Sequence, residues 1–305
     1  MTAVDTDRSP ALAKFDEAAC SAANEVIGVY STSFGLATRL LGPRHRQHVR
    51  NVYAMVRVAD EIVDGVAADA GLDRGAQAEH LEAYREATLA AMRLGYSSDL
   101  VLHAFARTAA ASGIGPDLTE PFFDSMRVDL AESKPADDDA PLTFDAAAHA
   151  RYVYGSAEVV GRMCLRVFVR EEDVSPEQLE TLERGACSLG AAFQNVNFLR
   201  DLADDSARLG RNYLGTGERI SAQDKDRWVE VIRAQLDEAA AAIPLLPVDA
   251  RAAVRSAHAL FGALTDRVDR ATVAELYRRR VRVPEPVKLA LTARAVARTA
   301  AERTR

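Results

Sequence analysis

The chain has 305 residues, 48% of them hydrophobic, and a formal net charge of −7. This length and apolar fraction allow a sizeable core, and the acidic balance argues against a nucleic-acid-binding protein. The three widely spaced cysteines, Cys20, Cys164 and Cys187, predict buried thiols in a reducing compartment. The chain lacks a signal-peptide pattern and the roughly 20 apolar residues of a membrane span. We therefore expect a cytoplasmic protein.

Helical periodicity runs through nearly the whole sequence. A first helix begins near Pro10, with Phe15, Ala18, Ala22 and Val26 on one side, and a short helix follows to Leu41. After a break at Gly42-Pro43, a helix runs to Asp64, where Gly65 ends it. Further helices are predicted near residues 73–94, 97–112, 117–132, 144–169, 176–208, 221–242, 247–274 and 285–303. No linker or repeat divides the chain, so we predict one all-α domain over residues 1–305.

The first acidic segment closes the helix that begins at Pro43. Tyr53, Arg57, Asp60, Glu61 and Asp64 share one face of this helix. Residues four apart lie about 5–6 Å from each other on a helix, so Asp60 and Asp64 form one patch of oxygen ligands suited to Mg²⁺. The alternative is a solvated face with ordinary ion pairs.

The second acidic segment repeats this arrangement. Gln194, Asn197, Asp201 and Asp205 form one polar stripe between apolar neighbours. Amides buried there without partners would be costly, and a cavity holding metal, ligand and water would satisfy them. The alternative is an amide pair that caps a neighbouring helix.

Arginines near these segments suggest that the protein binds a phosphate group, because guanidinium groups match the geometry of phosphate oxygens. Arg208 and Arg211 follow the second segment, and Arg278, Arg279, Arg280 and Arg282 lie near the end of the chain. Other sites are not indicated. The histidines lack zinc spacing, Asp137–Asp139 read as a solvated turn between prolines, and there is no Gly-x-Gly-x-x-Gly, P-loop or Gly-x-Ser-x-Gly motif.

The chain resembles the squalene/phytoene synthase family from about Tyr30 to Leu291. The segments that carry the resemblance are Tyr30-Ser31-Thr32-Ser33-Phe34, Tyr53 to Gly65 with its Asp60-Glu61-x-x-Asp64 core, Tyr152 to Gly161, Gln194 to Asp205, and Arg280-Val281-Arg282-Val283. Departures at three places weaken the product assignment. Glu158 replaces a small residue, the loop after Asp205 is one residue longer before Arg211 and is followed by Asn212 in place of an apolar residue, and Phe261 replaces a tyrosine.

The resemblance implies an isoprenoid-synthase-type helical bundle around a central apolar cavity. Asp60, Asp64, Asn197, Asp201 and Asp205 would hold Mg²⁺, or Mn²⁺ in its place, with Glu61 and Asp204 in support. Tyr53 and Arg57 would join the aspartates in catalysis. The residues expected to bind substrate are Ser31, Ser33, Phe34, Tyr152, Gln194, Asn197, Arg200, Arg211, Tyr213 and Arg280. Phe34, Val160 and Leu199 would line the pocket.

The implied reaction is a head-to-head condensation of two allylic diphosphates through a cyclopropyl diphosphate. The small Thr38, one turn after Phe34, favours C20 substrates and a phytoene synthase over C15 substrates and squalene, dehydrosqualene or presqualene diphosphate. NADPH would be needed only for squalene. A class I terpene cyclase and a catalytically silent family member remain alternatives. Such apolar substrates imply transient peripheral contact with a membrane surface.

Overall fold

The computed structural model describes residues 9–131, 142–143, 145–202, 211–212, 214 and 219–303. Within these ranges, the side chains of residues 32–34, 131, 142–143, 211–212 and 303 are not described. The loop at Asp137–Asp139 and Arg208 therefore lie outside the description. So do Asp204, Asp205 and Tyr213, and the side chains of Ser33, Phe34 and Arg211.

The described residues form a bundle of α-helices. The helices are α1 (Pro10–Tyr30), α2 (Thr32–Arg39), α3 (Pro43–Val63), α4 (Val66–Asp69), α5 (Arg74–Leu94), α6 (Leu100–Ser112), α7 (Pro116–Ala131), α8 (Ala146–Val153), α9 (Val159–Val169), α10 (Pro176–Arg200), α11 (Ala222–Ala242), α12 (Val248–Arg270), α13 (Val273–Leu276) and α14 (Glu285–Arg303). None of the helices in the described part is both long and apolar enough to span a membrane.

Local signals in the sequence explain where many helices begin and end. The side chains of Asp73, Asp99 and Asp145 accept hydrogen bonds from the first turns of α5, α6 and α8. Ser175, Ser221 and Thr272 form capping boxes at the starts of α10, α11 and α13. Gly95 and Gly113 end α5 and α6 in the left-handed conformation. These caps place most helix ends within three residues of their predicted positions.

Three predicted helices differ from the structure. The helix predicted over 144–169 is interrupted by a π-helical turn (Tyr154–Glu158) between α8 and α9. The helix predicted over 176–208 ends at Arg200, and the N–H of Asp201 donates to the Asn197 carbonyl. The helix predicted over 247–274 ends at Arg270 and is followed by the short α13. Periodicity alone gave no sign of these interruptions.

The side of α1 that carries Phe15, Ala18, Ala22 and Val26 is displaced by one position from the most buried residues of the helix. Ala19, Ala23 and Ile27 are its buried residues, whereas Ala18 is exposed. Phe15 packs edge-on against His103 of α6, with ring centroids 4.8 Å apart. Alanine at so many neighbouring positions leaves the register of such a face ambiguous.

Two large apolar clusters form most of the core. The first joins α3, α5, α6, α7 and α9 and includes Met55, Phe105, Phe122, Phe123 and Met163, all fully buried. The second joins α8, α10, α11 and α12 and contains Leu199, Ile232 and Val268. A parallel pairing of residues 142–143 with 211–212 (β1 and β2) adds only two residues per strand. The predicted all-α class is confirmed.

Candidate active site

An apolar cavity of about 300 Å³ lies between α2, α3, α9, α10, α11 and α12. Its volume is at the lower end of the range of ligand pockets. Most of its lining is aliphatic or aromatic, as predicted for Val160. The lining includes Thr38, Leu41, Val49, Val56, Val160, Leu165, Phe168, Leu182, Leu189, Phe193, Ile243, Leu246, Val254 and Phe261. The central apolar cavity expected for this fold class is thus present.

Glycines allow the backbones on either side of the cavity wall to approach each other closely. A Cβ atom on Gly161 of α9 would lie 2.5 Å from the carbonyl oxygen of Ala186 on α10. A Cβ atom on Gly190 of α10 would lie 2.6 Å from the carbonyl oxygen of Ala157 in the π-helical turn. Any larger side chain would force these elements apart and open the cavity wall.

Two buried polar atoms of this lining have no hydrogen-bond partner among the residues that the structure describes. They are Ser156 Oγ, in the π-helical turn, and Asn197 Oδ1, on α10. A buried acceptor without a partner costs free energy, and a bound ligand, water or cation would relieve that cost. Because π-helical turns occur frequently at functional sites, Ser156 belongs among the candidate residues, although the sequence analysis did not select it.

Both acidic segments begin one helical turn beyond the cavity lining. Val56 lines the cavity and lies four residues before Asp60 on α3. Asn197 lines it four residues before Asp201, which caps α10. Because residues four apart on a helix are stacked, both carboxylates continue faces that begin at the cavity.

Arg57 connects several residues of the first acidic segment. It forms an ion pair with Glu61, and its guanidinium lies 4.5 Å from the ring centroid of Tyr30. Glu61 also accepts a hydrogen bond of 3.1 Å from the N–H of Val66, at the start of α4. Tyr30 is the first residue of the Tyr30-Ser31-Thr32-Ser33-Phe34 segment, but it was not predicted as a site residue. Glu61 thus holds Arg57 and the turn after α3 together.

The environment perturbs Asp60 and Tyr53. Burial raises the pKa of Asp60 to about 7, the positive charge of Arg57 opposes this shift, and the charge of Asp64 adds to it. Burial also raises the pKa of Tyr53, while a hydrogen bond with Ser31 and the charge of Arg57 act against this increase. Ser31, Tyr53, Arg57, Asp60 and Asp64 are therefore close enough to influence one another.

Asp201 is held by two arginines. Arg200 Nε and Nη2 donate to Asp201 Oδ1 and Oδ2 at 2.8 and 2.5 Å. Arg280 Nε lies 2.8 Å from Oδ1, and its Nη2 donates to Oδ2 at 3.2 Å. The structure thus brings together three predicted residues that span 80 positions of the sequence. Their net charge is positive, which favours a further anion at this place.

The donor atoms fit a hard divalent cation. The described residues contain no group of three His, Cys, Asp or Glu side chains close enough to hold a metal ion by themselves. However, Asp60 and Asp64 repel each other, and Asn197 has an acceptor oxygen without a partner. A cation coordinated by carboxylate and amide oxygens would relieve both costs.

Several predicted residues do not border the described cavity. The hydroxyl of Tyr152 donates to Asp129 Oδ2 at 2.8 Å, and the Tyr152 side chain is buried in the second core cluster. Leu199, expected in the pocket lining, is fully buried in the same cluster. Gln194 is half-buried on α10. The substrate-binding roles of Tyr152 and Gln194 stay predictions, and Leu199 has a role in the core.

The structure shows the contacts of two residues that depart from the family pattern, Phe261 and Glu158. Phe261 lines the cavity and stacks on Phe193, with ring centroids 3.6 Å apart and an interplanar angle of 14°. Glu158 is hydrogen-bonded to Cys187, and burial raises the pKa values of both groups, that of Cys187 to about 11. All three cysteines are free thiols, and they are half-buried rather than buried.

Comparison with known proteins identifies the family. The sequence model of the squalene/phytoene synthase family matches residues 27–286 of this chain. A phytoene synthase of Pseudescherichia vulneris is 35% identical over 189 residues, which cover 60% of this chain and 55% of the relative. A 15-cis-phytoene synthase of Paracoccus sp. is 30% identical over 295 residues, covering 88% and 87%. The chain spans about half the length of the Pseudescherichia relative and of phytoene synthase 3 of Zea mays.

Solved structures show the same fold. A dehydrosqualene synthase in complex with a ligand superposes with a TM-score of 0.74 at 20% identity, covering 94% of this chain and 99% of the other. The squalene synthase HpnC of Alicyclobacillus acidocaldarius gives 0.68 at 20% identity, covering 86% and 96%. At this identity the likeness establishes the architecture alone.

Proposed function

This chain belongs to the squalene/phytoene synthase family, and we propose that it condenses two allylic prenyl diphosphates head to head, with release of diphosphate. The observation that carries the proposal is the cavity itself. Its lining is mostly apolar, and both acidic segments extend from this lining at Val56 and Asn197. An apolar chamber beside carboxylates suits a long hydrocarbon tail that ends in a diphosphate.

We propose that Mg²⁺, or Mn²⁺ in its place, is held by Asp60, Asp64, Asn197, Asp201 and Asp205, with support from Glu61 and Asp204. When bound, the metal acts as a Lewis acid toward the leaving diphosphate. Its requirement is supported by the repulsion between Asp60 and Asp64 and by the unpartnered Asn197 oxygen.

The chain's own cations neutralise the departing group. In our proposal Arg57, Arg200 and Arg280 contact diphosphate oxygens, and Arg211 joins them from the following loop. Ser31, Ser33 and Tyr53 donate hydrogen bonds to the same oxygens. Because Arg200 and Arg280 already lie at Asp201, they need no large movement to reach a diphosphate there.

The cavity protects the reaction from water. The C–O bond of the first substrate breaks and its electron pair leaves with diphosphate, so an allylic cation forms. The double bond of the second substrate attacks this cation, and loss of a proton gives the cyclopropyl diphosphate. Loss of the second diphosphate gives a second cation, which rearranges and then either loses a proton to give phytoene or dehydrosqualene, or accepts a hydride from NADPH to give squalene. The lining contributes few groups that could quench a cation, and the stacked Phe193 and Phe261 present aromatic rings to it.

We favour C20 substrates and phytoene as the product. Thr38 lines the cavity with a small side chain, and the Paracoccus relative that matches 88% of this chain is a 15-cis-phytoene synthase. C15 substrates, with squalene or dehydrosqualene as products, are the second candidate, and only squalene would need NADPH. Because substrates and product are this apolar, we also propose transient contact with a membrane surface.

The test is incubation of the purified protein with geranylgeranyl or farnesyl diphosphate and Mg²⁺, with and without NADPH, followed by mass analysis. A C40 hydrocarbon formed without NADPH is expected. C30 products would move the assignment to the second candidate, and a cyclic product from one substrate would indicate a terpene cyclase. Absence of diphosphate release would overturn the catalytic proposal. Asp60→Asn, checked for folding, serves as the inactive control.

A further inference from the structure

Three arginines cluster where α2 meets α3, away from the acidic segments. Arg39 is exposed at the end of α2, and Arg46 and Arg50 are half-buried on α3. Arg46 Nη2 donates to the carbonyl oxygens of Arg39 at 3.0 Å and Leu41 at 2.8 Å. Arg50 Nη1 donates to Asn24 Oδ1 of α1 at 3.1 Å. Arg46 and Arg50 lie four residues apart on α3, so their side chains are neighbours on one face, and none of these contacts neutralises a guanidinium charge.

The cluster has no acidic partner in the part of the chain that the structure describes. No carboxylate oxygen there lies within 4.0 Å of the side-chain nitrogens of Arg39, Arg46 or Arg50. Arg44, on the same helix, is different, since it pairs with Glu171, Glu172 and Asp249. The arginine cluster is therefore a local excess of positive charge in a protein whose net charge is negative.

Two N–H donors inside the cluster are buried and unused. The Nε atoms of Arg46 and Arg50 are inaccessible to solvent, and no described residue accepts a hydrogen bond from them. Burial, together with the positive charges of Arg46 and Arg39, also lowers the pKa of Arg50. A cationic group that is repelled and desolvated in this way is stabilised by an anion with several acceptor oxygens.

We propose that Arg39, Arg46 and Arg50 form a second anion site that binds a phosphate-type group, with Asn24 orienting Arg50. Planar guanidinium groups match the oxygens of a phosphate, which favours this class of anion over a single halide ion. Tyr53 and Arg57, which belong to the proposed diphosphate site, follow Arg50 by three and seven residues, or about 4.5 and 10.5 Å along the helix axis. The anion site therefore adjoins the proposed diphosphate site but shares no residue with it, and it does not depend on the proposed function.

The first experiment measures phosphate binding by isothermal titration calorimetry. The protein is kept metal-free with a chelator, and matched potassium chloride controls for ionic strength. Wild type is compared with Arg50→Gln, Arg39→Gln and the control Arg184→Gln, whose exposed side chain lies 4.0 Å from Glu180. Loss of one charge-assisted contact is expected to weaken phosphate binding about tenfold in the first two variants. Arg184→Gln should bind like wild type.

A second experiment distinguishes a free anion from a lipid headgroup. Flotation with phosphatidylcholine vesicles, with or without phosphatidylglycerol, is carried out on the same four proteins. Arginine-dependent binding to the anionic vesicles alone would assign the site to lipid phosphate, and arginine-dependent binding in the titration would assign it to a free anion. Both outcomes support the proposal. Equal behaviour of all four proteins in both experiments would overturn it.

The variants are chosen so that a folding defect cannot obscure the result. Glutamine at position 50 keeps an amide donor for Asn24 and removes a repelled charge, so thermal stability without phosphate should not decrease. Arg39 is exposed, and its replacement disturbs no packed side chain. If Arg50→Gln does not fold, the comparison of Arg39→Gln with Arg184→Gln decides the question.

Discussion

Asn195 and Asn197 lie two residues apart on α10 and have opposite environments. Asn195 Oδ1 is 2.9 Å from His149 Nε2, and its amide donates to Gln235 Oε1 at 3.1 Å. Asn197 Oδ1 is buried and receives no hydrogen bond from the described part of the chain. Replacing Asn197 with leucine should therefore maintain or raise the unfolding temperature of the metal-free protein, but lower diphosphate release at least tenfold. Thermal unfolding and a diphosphate assay measure the two effects.

The matched control is Asn195→Leu. It removes two satisfied hydrogen bonds from a buried amide and should lower stability by about 1–3 kcal/mol. A decrease of similar size in Asn197→Leu would show that Asn197 has a structural role, and would contradict the ligand-binding role proposed for it.

Asp60 predicts a distinctive pH dependence in the metal-free protein. Its folded-state pKa of about 7 lies above its ordinary value of 3.8. Between these values the folded state binds a proton that the unfolded state has lost, so the free energy of unfolding should fall as pH rises from about 4 to 7. Asp60→Asn should remove this decrease in denaturant titrations, whereas the exposed-site control Asp226→Asn should keep it. Added Mg²⁺ should diminish it in the wild type, because a nearby cation favours the ionised carboxylate. No difference in pH dependence between wild type and Asp60→Asn would contradict this interpretation.

At the scale of helices, Asp249 connects the start of α12 to the start of α3. Its carboxylate accepts from Arg44 Nε at 2.8 Å and Nη2 at 3.0 Å, and lies 3.1 Å from His45 Nε2. The N–H of Gly42 donates to its carbonyl oxygen at 2.8 Å, and a Cβ atom on Gly42 would lie 2.5 Å from its carboxylate. The hydrogen bonds from Arg44 hold the pKa of Asp249 well below its usual range. These contacts therefore hold α12 against α3, and both helices line the cavity.

Asp249→Asn should lower the free energy of unfolding by about 2 kcal/mol at neutral pH, because the bonds to Arg44 lose their charge. A carboxylate with a depressed pKa contributes stability that is lost as pH falls below its ordinary pKa of about 4, so the variant and wild type should converge in acid. Asp266→Asn breaks an exposed contact with Arg233 at 3.4 Å and should cost less than about 1 kcal/mol. A constant difference between Asp249→Asn and wild type at every pH would exclude the electrostatic explanation.

The helices themselves were predictable because their signals are local. Caps such as Ser175 and Asp99, and breaks such as Gly42-Pro43, lie next to the ends that they define. The π-helical turn was not predictable, since it depends on how α9 and α10 approach at Gly161 and Gly190. The contact between Arg44 and Asp249, 205 residues apart, was missed for the same reason. Contacts between residues far apart in the chain produce no periodic pattern in the sequence.

For the molecule as a whole, the two acidic segments were predicted from residue spacing, and their position at one cavity follows from the packing of both α3 and α10 against α9. The sequence could not show that Arg280 reaches Asp201, because this depends on how the chain returns after α13. Tyr30 and Ser156 were missed because their roles depend on contacts with Arg57 and with the cavity. Sequence reasoning therefore succeeded where chemistry is concentrated in one helix, and failed where several elements contribute one group each.

Six helices line the cavity, so the space available to a substrate tail depends on the whole bundle. Thr38 is the position at which we test how this space limits tail length. Thr38 is 2% exposed, lines the cavity, and donates through Oγ1 to the Gly35 carbonyl at 3.0 Å. A phenylalanine there would occupy space needed by a C20 tail, so Thr38→Phe should shift the ratio of C20 to C15 turnover about tenfold toward C15. Overpacking should cost about 1–3 kcal/mol of stability. Thr38→Ser keeps the hydrogen bond and the space, and should keep the preference of the wild type. Product analysis with both substrates decides the matter, and an unchanged ratio in a folded Thr38→Phe protein would place the limit on tail length elsewhere in the cavity.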